Sequence, residues 1–144
     1  MTSEFLINSK NTKDQRGNIT HFNSLNLDTF NRTYFIKNSN SEVVRAWQAH
    51  EFEAKCFIPV QGTFIIAVVK IDNFITPSHQ LSPKVYRLCA SNPQALIVPA
   101  GYANGLKSMS SESVIQVFAN QNLTFSENNK VRFHKDMWLN WSKL

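Results

Sequence analysis

Two short segments of the chain carry polar side chains whose chemistry could support proton transfer. The first contains Gln48, His50 and Lys55, and the second ends at Asn104. A histidine titrates near neutral pH, with an unperturbed pKa of about 6.5, whereas a glutamine cannot exchange a proton in this way. A cation and side-chain amides can stabilise negative charge that develops on a substrate. If the fold brings these side chains together, their chemistry suits His50 as a base, Lys55 as the stabilising cation, and Gln48 and Asn104 as hydrogen-bond donors.

These side chains can meet only if the surrounding strands aim them at one place. Alternation along an extended strand puts Gln48 and His50 on one face and Arg45 and Trp47 on the other. Arg45 can then share a site with His50 only if a β-bulge intervenes or a barrel mouth lets its side chain curl round. Both faces of the strand around Lys55 are apolar, so alternation does not decide where this side chain lies. It can point into a buried site or lie on the surface of an edge strand.

Runs of β-forming residues separated by turn residues extend along most of the chain. A barrel or sandwich is the fold that such short, regularly spaced strands favour, and we expect one all-β domain over residues 1–144. The tail from Lys130 to Leu144 has room for a short helix, on which Trp138 and Trp141 would share a face and cap an open barrel end. The predicted strands are Asn18–Asn23, Thr33–Ile36, Glu42–His50, Lys55–Val60, Thr63–Ile71, Lys84–Leu88, Ala95–Val98 and Ser113–Ala119.

The composition of the chain argues against two classes of binding partner, membranes and nucleic acids. Of 144 residues, 42% are hydrophobic, and no apolar run approaches the ~20 residues that span a bilayer. The net charge of +5 comes from basic residues that are spread along the chain, so we expect no nucleic-acid partner and no membrane partner. Arginines and lysines in a diphosphate site would account for the charge equally well. Without a signal peptide, Cys56 and Cys89 are expected to be free thiols of a cytoplasmic protein.

The two polar segments resemble the two sequence motifs of the cupins, and the spacing is kept. In the first motif Gln48 and His50 take the two histidine places, Lys55 takes the glutamate place, and Gly62 closes the turn; in the second, Asn104 takes the histidine place. The resemblance implies a cupin barrel of the RmlC-like jelly-roll type. Metallocupins hold their metal with three imidazoles and a carboxylate. An amide is a poor ligand for transition metals and an ammonium repels a cation, so we predict no metal, and we expect no other cofactor.

The wider pattern resembles the dTDP-4-dehydrorhamnose 3,5-epimerases and the dTDP-sugar 3,4-ketoisomerases of the WxcM/FdtA-like type. The resemblance implies a dTDP-linked sugar as ligand, with Arg16 and Arg45 on its diphosphate and Tyr34 at the sugar or the base. Surface ion pairing of the two arginines and core packing of Tyr34 are the alternatives. Cupins of this kind commonly pair as homodimers. The segments that carry the resemblance are Asp14-Gln-Arg16-Gly17, Arg32-Thr-Tyr34-Phe-Ile36, Arg45-Ala-Trp-Gln-Ala-His50 and Val98-Pro-Ala-Gly-Tyr-Ala-Asn-Gly105.

The departures from this pattern fall on the chemistry and leave two functions open. The epimerase base is replaced by Gln48, the histidine of the second motif by Asn104, and the acid tyrosine has no counterpart near Val117 and Phe118. One function is a metal-independent epimerase or isomerase of a nucleotide-linked 4-keto-6-deoxysugar, with His50 as base. The other is a non-catalytic module that binds nucleotide sugars or carbohydrates and has lost the general base.

Overall fold

The computed structural model describes residues 5–144, and in these residues the chain is almost entirely β-structure. One α-helix, α1 (Leu123–Asn129), and one 3₁₀ turn, Trp141–Lys143, are the helical elements of the described part. The strands are β1 (Leu6–Asn8), β2 (Lys10–Asp14), β3 (Gly17–His21), β4 (Arg32–Ile36), β5 (Val44–His50), β6 (Lys55–Gln61), β7 (Thr63–Lys70), β8 (Lys84–Cys89), β9 (Gln94–Val98), β10 (Tyr102–Ser108), β11 (Val114–Ala119) and β12 (Lys130–Arg132).

Two five-stranded antiparallel sheets face each other. Sheet I has the order β1-β9-β6-β11-β4, sheet II has the order β12-β5-β10-β7-β8, and β2 and β3 form a separate hairpin. The inward side chains of both sheets form one apolar core, which includes Phe57, Phe64, Leu96 and Ile115. This is the expected all-β jelly-roll barrel. The turn between β6 and β7 is made by Gly62, whose φ of +70° is a conformation that glycine adopts without strain.

A second apolar cluster lies on the outer face of sheet II. Trp47 of β5 packs there against Trp138 and Trp141, with ring centroids 5.4 and 5.6 Å apart. The indoles of Trp47 and Trp141 both donate hydrogen bonds to the carbonyl of Lys135, at 3.0 Å each. The prediction that Trp138 and Trp141 share a helical face and cap the barrel end is therefore wrong. The tail crosses the back of the sheet because the alanines and β-branched residues of that face leave an apolar surface to cover.

Strand β5 contains a β-bulge, the first of the two alternatives expected for Arg45. Asn104 of β10 lies opposite Gln48, and Leu106 lies opposite Arg45, so that Ala46 and Trp47 together face Gly105. Two residues opposite one constitute a β-bulge, which turns the strand and re-aims the side chains that follow and precede it. Arg45 and Gln48 consequently point to the same side of sheet II, which plain alternation forbids.

Gly105 is confined by the bulge, and this gives a test of its packing. A Cβ at this position would lie 2.6 Å from the Cβ of Ala46 and 2.7 Å from the ring of Trp141. We expect Gly105→Ala to lower the free energy of unfolding by about 1–3 kcal/mol, because backbone or indole must shift to admit a methyl group. Urea denaturation measures the change. Ser111→Ala, in an exposed turn, is the control, and equal stability of the two variants would contradict the packing described.

Candidate functional site

An open cavity of about 1030 Å³ lies between the two sheets. Strands β4, β5, β6 and β10 form its walls, while α1 and β12 border it on one side. Five of the seven predicted site residues line this cavity: Tyr34, Arg45, Gln48, Lys55 and Asn104. The bulge in β5 directs Arg45 into the cavity, and Lys55 lies on the inward face of β6. Strand alternation left the positions of both side chains undecided, and in the structure both line the cavity.

His50 lies behind Gln48 on the inward face of β5. Only 3% of the residue is exposed, and it is not among the cavity-lining residues. Its Nδ1 is 3.4 Å from Oε2 of Glu53, and its buried Nε2 has no hydrogen-bond partner within residues 5–144. Burial, and then the nearby charges of Lys55 and Arg32, lower the pKa of His50 to about 3. The imidazole is therefore neutral at physiological pH and keeps a free lone pair.

The lowered pKa of His50 predicts how stability depends on pH. The unfolded chain takes up a proton on this histidine near pH 6.5, and the folded protein does so only near pH 3. Between these values the unfolded state binds more protons, so stability falls as the pH falls, by up to about 1.4 kcal/mol per pH unit. Urea unfolding of wild type and His50→Asn from pH 7 to pH 4.5 measures this.

We expect the wild type to lose more free energy of unfolding than His50→Asn over that range. The exposed His79 supplies the matched control, and His79→Asn should follow the wild-type curve. Parallel curves for wild type and His50→Asn would show that His50 titrates normally in the folded protein.

Lys55 and Tyr34 form a pair on the wall of the cavity. The Lys55 ammonium donates a hydrogen bond to the Tyr34 hydroxyl at 3.2 Å and lies 3.9 Å from the Glu53 carboxylate. Burial lowers the pKa of Lys55 to about 8, although Glu53 acts in the opposite direction. Burial also raises the pKa of Tyr34 to about 12. At neutral pH the lysine is mainly a cation and the tyrosine a neutral hydroxyl, which can donate a hydrogen bond.

Glu53 connects these groups and was missed in the sequence. Its side chain is 1% exposed. One oxygen accepts a hydrogen bond from Arg32 at 3.4 Å, and the other accepts from the Ser126 hydroxyl at 3.3 Å and faces His50 and Lys55. A buried carboxylate is stable only when it is paired and hydrogen-bonded in this way. The signal in the sequence was an acidic residue three positions after His50, but its partners come from distant segments.

Positive charge dominates the cavity lining. Glu127 is the one carboxylate among the lining residues that the structure describes, and it is paired with Lys130 at 2.8 Å. The cations that line the cavity are Arg32, Arg45, Lys55, Lys130 and Arg132. Such an excess favours an anionic ligand, because cations in a partly desolvated cleft attract negative charge more strongly than they do in bulk water. The contributions of Lys130 and Arg132 were not predicted, since β12 joins sheet II from the tail, where no strand was expected.

Arg16 is not brought to the cavity. It lies in the turn of the β2–β3 hairpin, its side chain is 83% exposed, and its guanidinium pairs with Asp14 at 2.7 Å. That pair raises the pKa of Arg16 and lowers the pKa of Asp14. Within one chain the hairpin arginine and the cavity are separate features, and contact of Arg16 with a ligand stays a prediction.

The cupin metal position does not suit a metal ion in this chain. The four side chains at that position are Gln48, His50, Lys55 and Asn104, which offer one imidazole, one ammonium and two amides. Nowhere in residues 5–144 do three or more His, Cys, Asp or Glu side chains converge as a metal site would require. A divalent ion would have to displace the Lys55 ammonium without gaining a carboxylate ligand in exchange.

The two facing sheets and the cavity between them define an RmlC-like cupin barrel. The chain belongs to the family described as WxcM-like, C-terminal (FdtA), whose sequence profile matches residues 3–138. Among curated proteins, none matches the chain in sequence. Of the helices in the described residues, none has the length and hydrophobicity to cross a bilayer.

Solved structures with the same fold include epimerases and ketoisomerases. The dTDP-4-dehydrorhamnose 3,5-epimerase of Bacillus anthracis, solved with TDP and PPi bound, is 18% identical with a TM-score of 0.77, covering 94% of this chain and 83% of its own. A 3,4-ketoisomerase from Helicobacter canadensis is 18% identical with a TM-score of 0.69, covering 92% of each chain. The sugar 3,4-ketoisomerase QdtA from Thermoanaerobacterium thermosaccharolyticum, in complex with TDP, is 17% identical with a TM-score of 0.68, covering 92% of this chain and 89% of its own.

Proposed function

We propose that this protein is a metal-independent epimerase or isomerase of a nucleotide-linked 4-keto-6-deoxysugar. The observation that carries the proposal is the cation-rich cavity, whose wall contains Lys55 and Tyr34, together with the buried His50 and Glu53 that lie next to Lys55. Cations suit the diphosphate of a nucleotide sugar, and the buried group suits proton transfer at its sugar. Membership of the WxcM-like family and the TDP bound to structures of the same fold support this choice of ligand.

His50 is the proposed base. With Nδ1 protonated and directed at Glu53, Nε2 is the acceptor, and it has no competing donor among the described residues. The C–H bond next to the ketone breaks, its proton moves to Nε2, and its electron pair forms the C=C bond of an enolate. The proton on Nε2 exchanges with solvent, and a proton then returns to the opposite face of the same carbon in an epimerase. In a ketoisomerase it is added to the former ketone carbon, while the hydroxyl proton of the first carbon moves to the former ketone oxygen and a new C=O bond forms at the first carbon. The sugar must reach past Gln48 to meet His50.

Lys55 is the proposed stabiliser of the enolate. Its ammonium lies in the cavity wall with Tyr34, and the amides of Gln48 and Asn104 line the same space. A fixed cation and fixed donors stabilise the developing oxyanion more than water does, because they need no reorganisation during the reaction. Arg45, and by resemblance Arg16, would hold the diphosphate.

A binding module is the second candidate, and one observation favours it. Gln48 has the direct access to the cavity that His50 lacks, and it cannot take up a proton. A histidine with a pKa of about 3 is also a weak base. On this alternative the cationic cavity binds a nucleotide sugar and leaves it unchanged.

Deuterium exchange separates the two candidates. The protein is incubated with dTDP-4-keto-6-deoxyglucose in D₂O, and NMR follows incorporation at each sugar carbon. Exchange at C3 or C5 supports the enzyme, and the labelled position distinguishes epimerase from ketoisomerase. Saturable binding without exchange supports the binding module. Absence of both would exclude this class of ligand.

Two further features are proposed with this function. Cys56 and Cys89 are both free, which suits a protein of the reducing cytoplasm. On the outer face of sheet I, the Phe35 side chain of β4 is 59% exposed. We propose that a second copy covers this face in a homodimer, which sedimentation equilibrium would detect.

A further inference from the structure

A buried asparagine outside the proposed reaction contacts the arginine at the cavity mouth. Asn38, in the loop between β4 and β5, is 1% exposed. Its Oδ1 accepts a hydrogen bond from Nε of Arg45 at 2.7 Å. Arg45 lines the cavity, and its Nη1 and Nη2 have no hydrogen-bond or ion-pair partner among residues 5–144.

This contact selects one edge of the guanidinium. An arginine can grip a phosphate in two ways, through the edge formed by Nε and one Nη or through the edge formed by both Nη groups. The Nε hydrogen of Arg45 is already directed at Asn38. The remaining fork is the Nη1/Nη2 edge, whose parallel N–H groups match two oxygens of a phosphate. The hydrogen bond also fixes the plane of the group before a ligand arrives.

The identity of the residue argues against a packing role alone. The Nδ2 of Asn38 is buried and has no partner among the described residues, and such a group reduces stability. An apolar side chain would fill the space without that penalty. An aspartate would supply the acceptor, but its charge would offset that of Arg45. An asparagine supplies a neutral acceptor and leaves the full positive charge of Arg45 for an anion.

We infer that Asn38 is a positioning residue, which holds Arg45 so that its Nη1/Nη2 edge receives a phosphate of the bound nucleoside diphosphate. The identity of this ligand rests on the proposed function, whereas the hydrogen bond and the free edge do not.

Calorimetric titration with dTDP, thymidine and inorganic pyrophosphate tests the inference. We expect Asn38→Leu to weaken dTDP binding about tenfold and to leave thymidine binding within about twofold. Arg45→Ala should weaken dTDP binding at least as much. Adding Asn38→Leu to Arg45→Ala should change little further, because a residue that acts through Arg45 has no effect without it. Asn40→Leu, two positions away and exposed, is the matched control and should bind like wild type.

A second measurement does not depend on the folding of any variant. Arg45 and Arg87 are both exposed residues, but the Nε–H of Arg45 donates to the buried Asn38. In wild type, its resonance should therefore exchange with water more slowly than that of Arg87, and it should stay protected when dTDP binds. Equal exchange of the two resonances would overturn the inference.

The outcomes separate this inference from the proposed function. Additive effects of Asn38→Leu and Arg45→Ala on dTDP binding would overturn the positioning role and leave the proposed function standing. Pyrophosphate binding that depends on Asn38, without any dTDP binding, would support the positioning role and overturn the nucleotide ligand. A wild-type protein that binds neither compound would overturn both.

Discussion

Replacing His50 by asparagine is expected to lower the rate of deuterium exchange into dTDP-4-keto-6-deoxyglucose by about 10²–10⁴-fold, the usual contribution of a positioned general base. Asparagine keeps a polar side chain in the buried space beside Glu53 but cannot take up the proton. Binding of dTDP should change little, because His50 does not line the cavity. The measurement is the initial rate of NMR signal loss at the exchanging carbon, at saturating substrate.

The matched control for this prediction is His79→Asn, since His79 is exposed. It should exchange deuterium at the wild-type rate. Exchange that survives in His50→Asn would assign the base elsewhere. The pH profile adds a second criterion: a histidine whose pKa lies near 3 stays in its basic form above pH 4, so no acidic limb is expected near pH 6.5.

The second large effect is expected at Lys55. Lys55→Met keeps much of the side-chain volume but removes the cation beside Tyr34, and we expect exchange to slow by about 10²–10³-fold. The wild-type rate should fall as the pH rises through about 8, because the cationic form of Lys55 is lost there. Rates measured from pH 6 to pH 9.5 for wild type and Lys55→Met test this, and the alkaline limb should be missing in the variant.

The direction of the alkaline limb distinguishes two roles for Lys55. A stabilising cation predicts a fall through pH 8, whereas a rise through the same pH would identify neutral Lys55 as the base and refute the role given to His50. Lys70→Met, at the exposed end of β7, controls for the loss of a surface charge.

The strands with apolar, β-branched sequences could be predicted well. Strand β7 was expected at Thr63–Ile71 and lies at Thr63–Lys70, since its run of isoleucines and valines suits a strand buried on both faces. Strand β10 was missed. Gly105, Lys107 and Ser108 interrupt its apolar pattern, and it is a strand because β5 and β7 pair with it on either side. Such pairing is a property of the fold and not of the segment.

The site likewise contains residues that the sequence could predict and residues that it could not. Residues within the motif segments, such as Gln48 and Lys55, could be assigned to the cavity because their spacing fixes their place in the barrel. Glu53 and Lys130 could not be assigned to the site from the sequence. Glu53 is buried only because distant residues pair with it, and Lys130 lines the cavity only because β12 joins sheet II. A β-bulge was one of two ways foreseen for Arg45 to enter the site. Its location could not be predicted, because it depends on pairing with Gly105 in β10, a strand from a distant part of the sequence.

The tryptophan cluster on the outer face of sheet II makes intrinsic fluorescence a local probe of this region. The chain has three tryptophans, and all of them, Trp47, Trp138 and Trp141, lie in this one cluster. Intrinsic fluorescence excited at the indole band therefore originates from a single region, where the tail rests on the strand that carries Gln48 and His50. Detachment of the tail would alter the emission while the apolar core between the sheets remained intact. If the fluorescence transition and the circular-dichroism transition failed to coincide during unfolding, the difference would indicate that the tail detaches separately from the unfolding of the core.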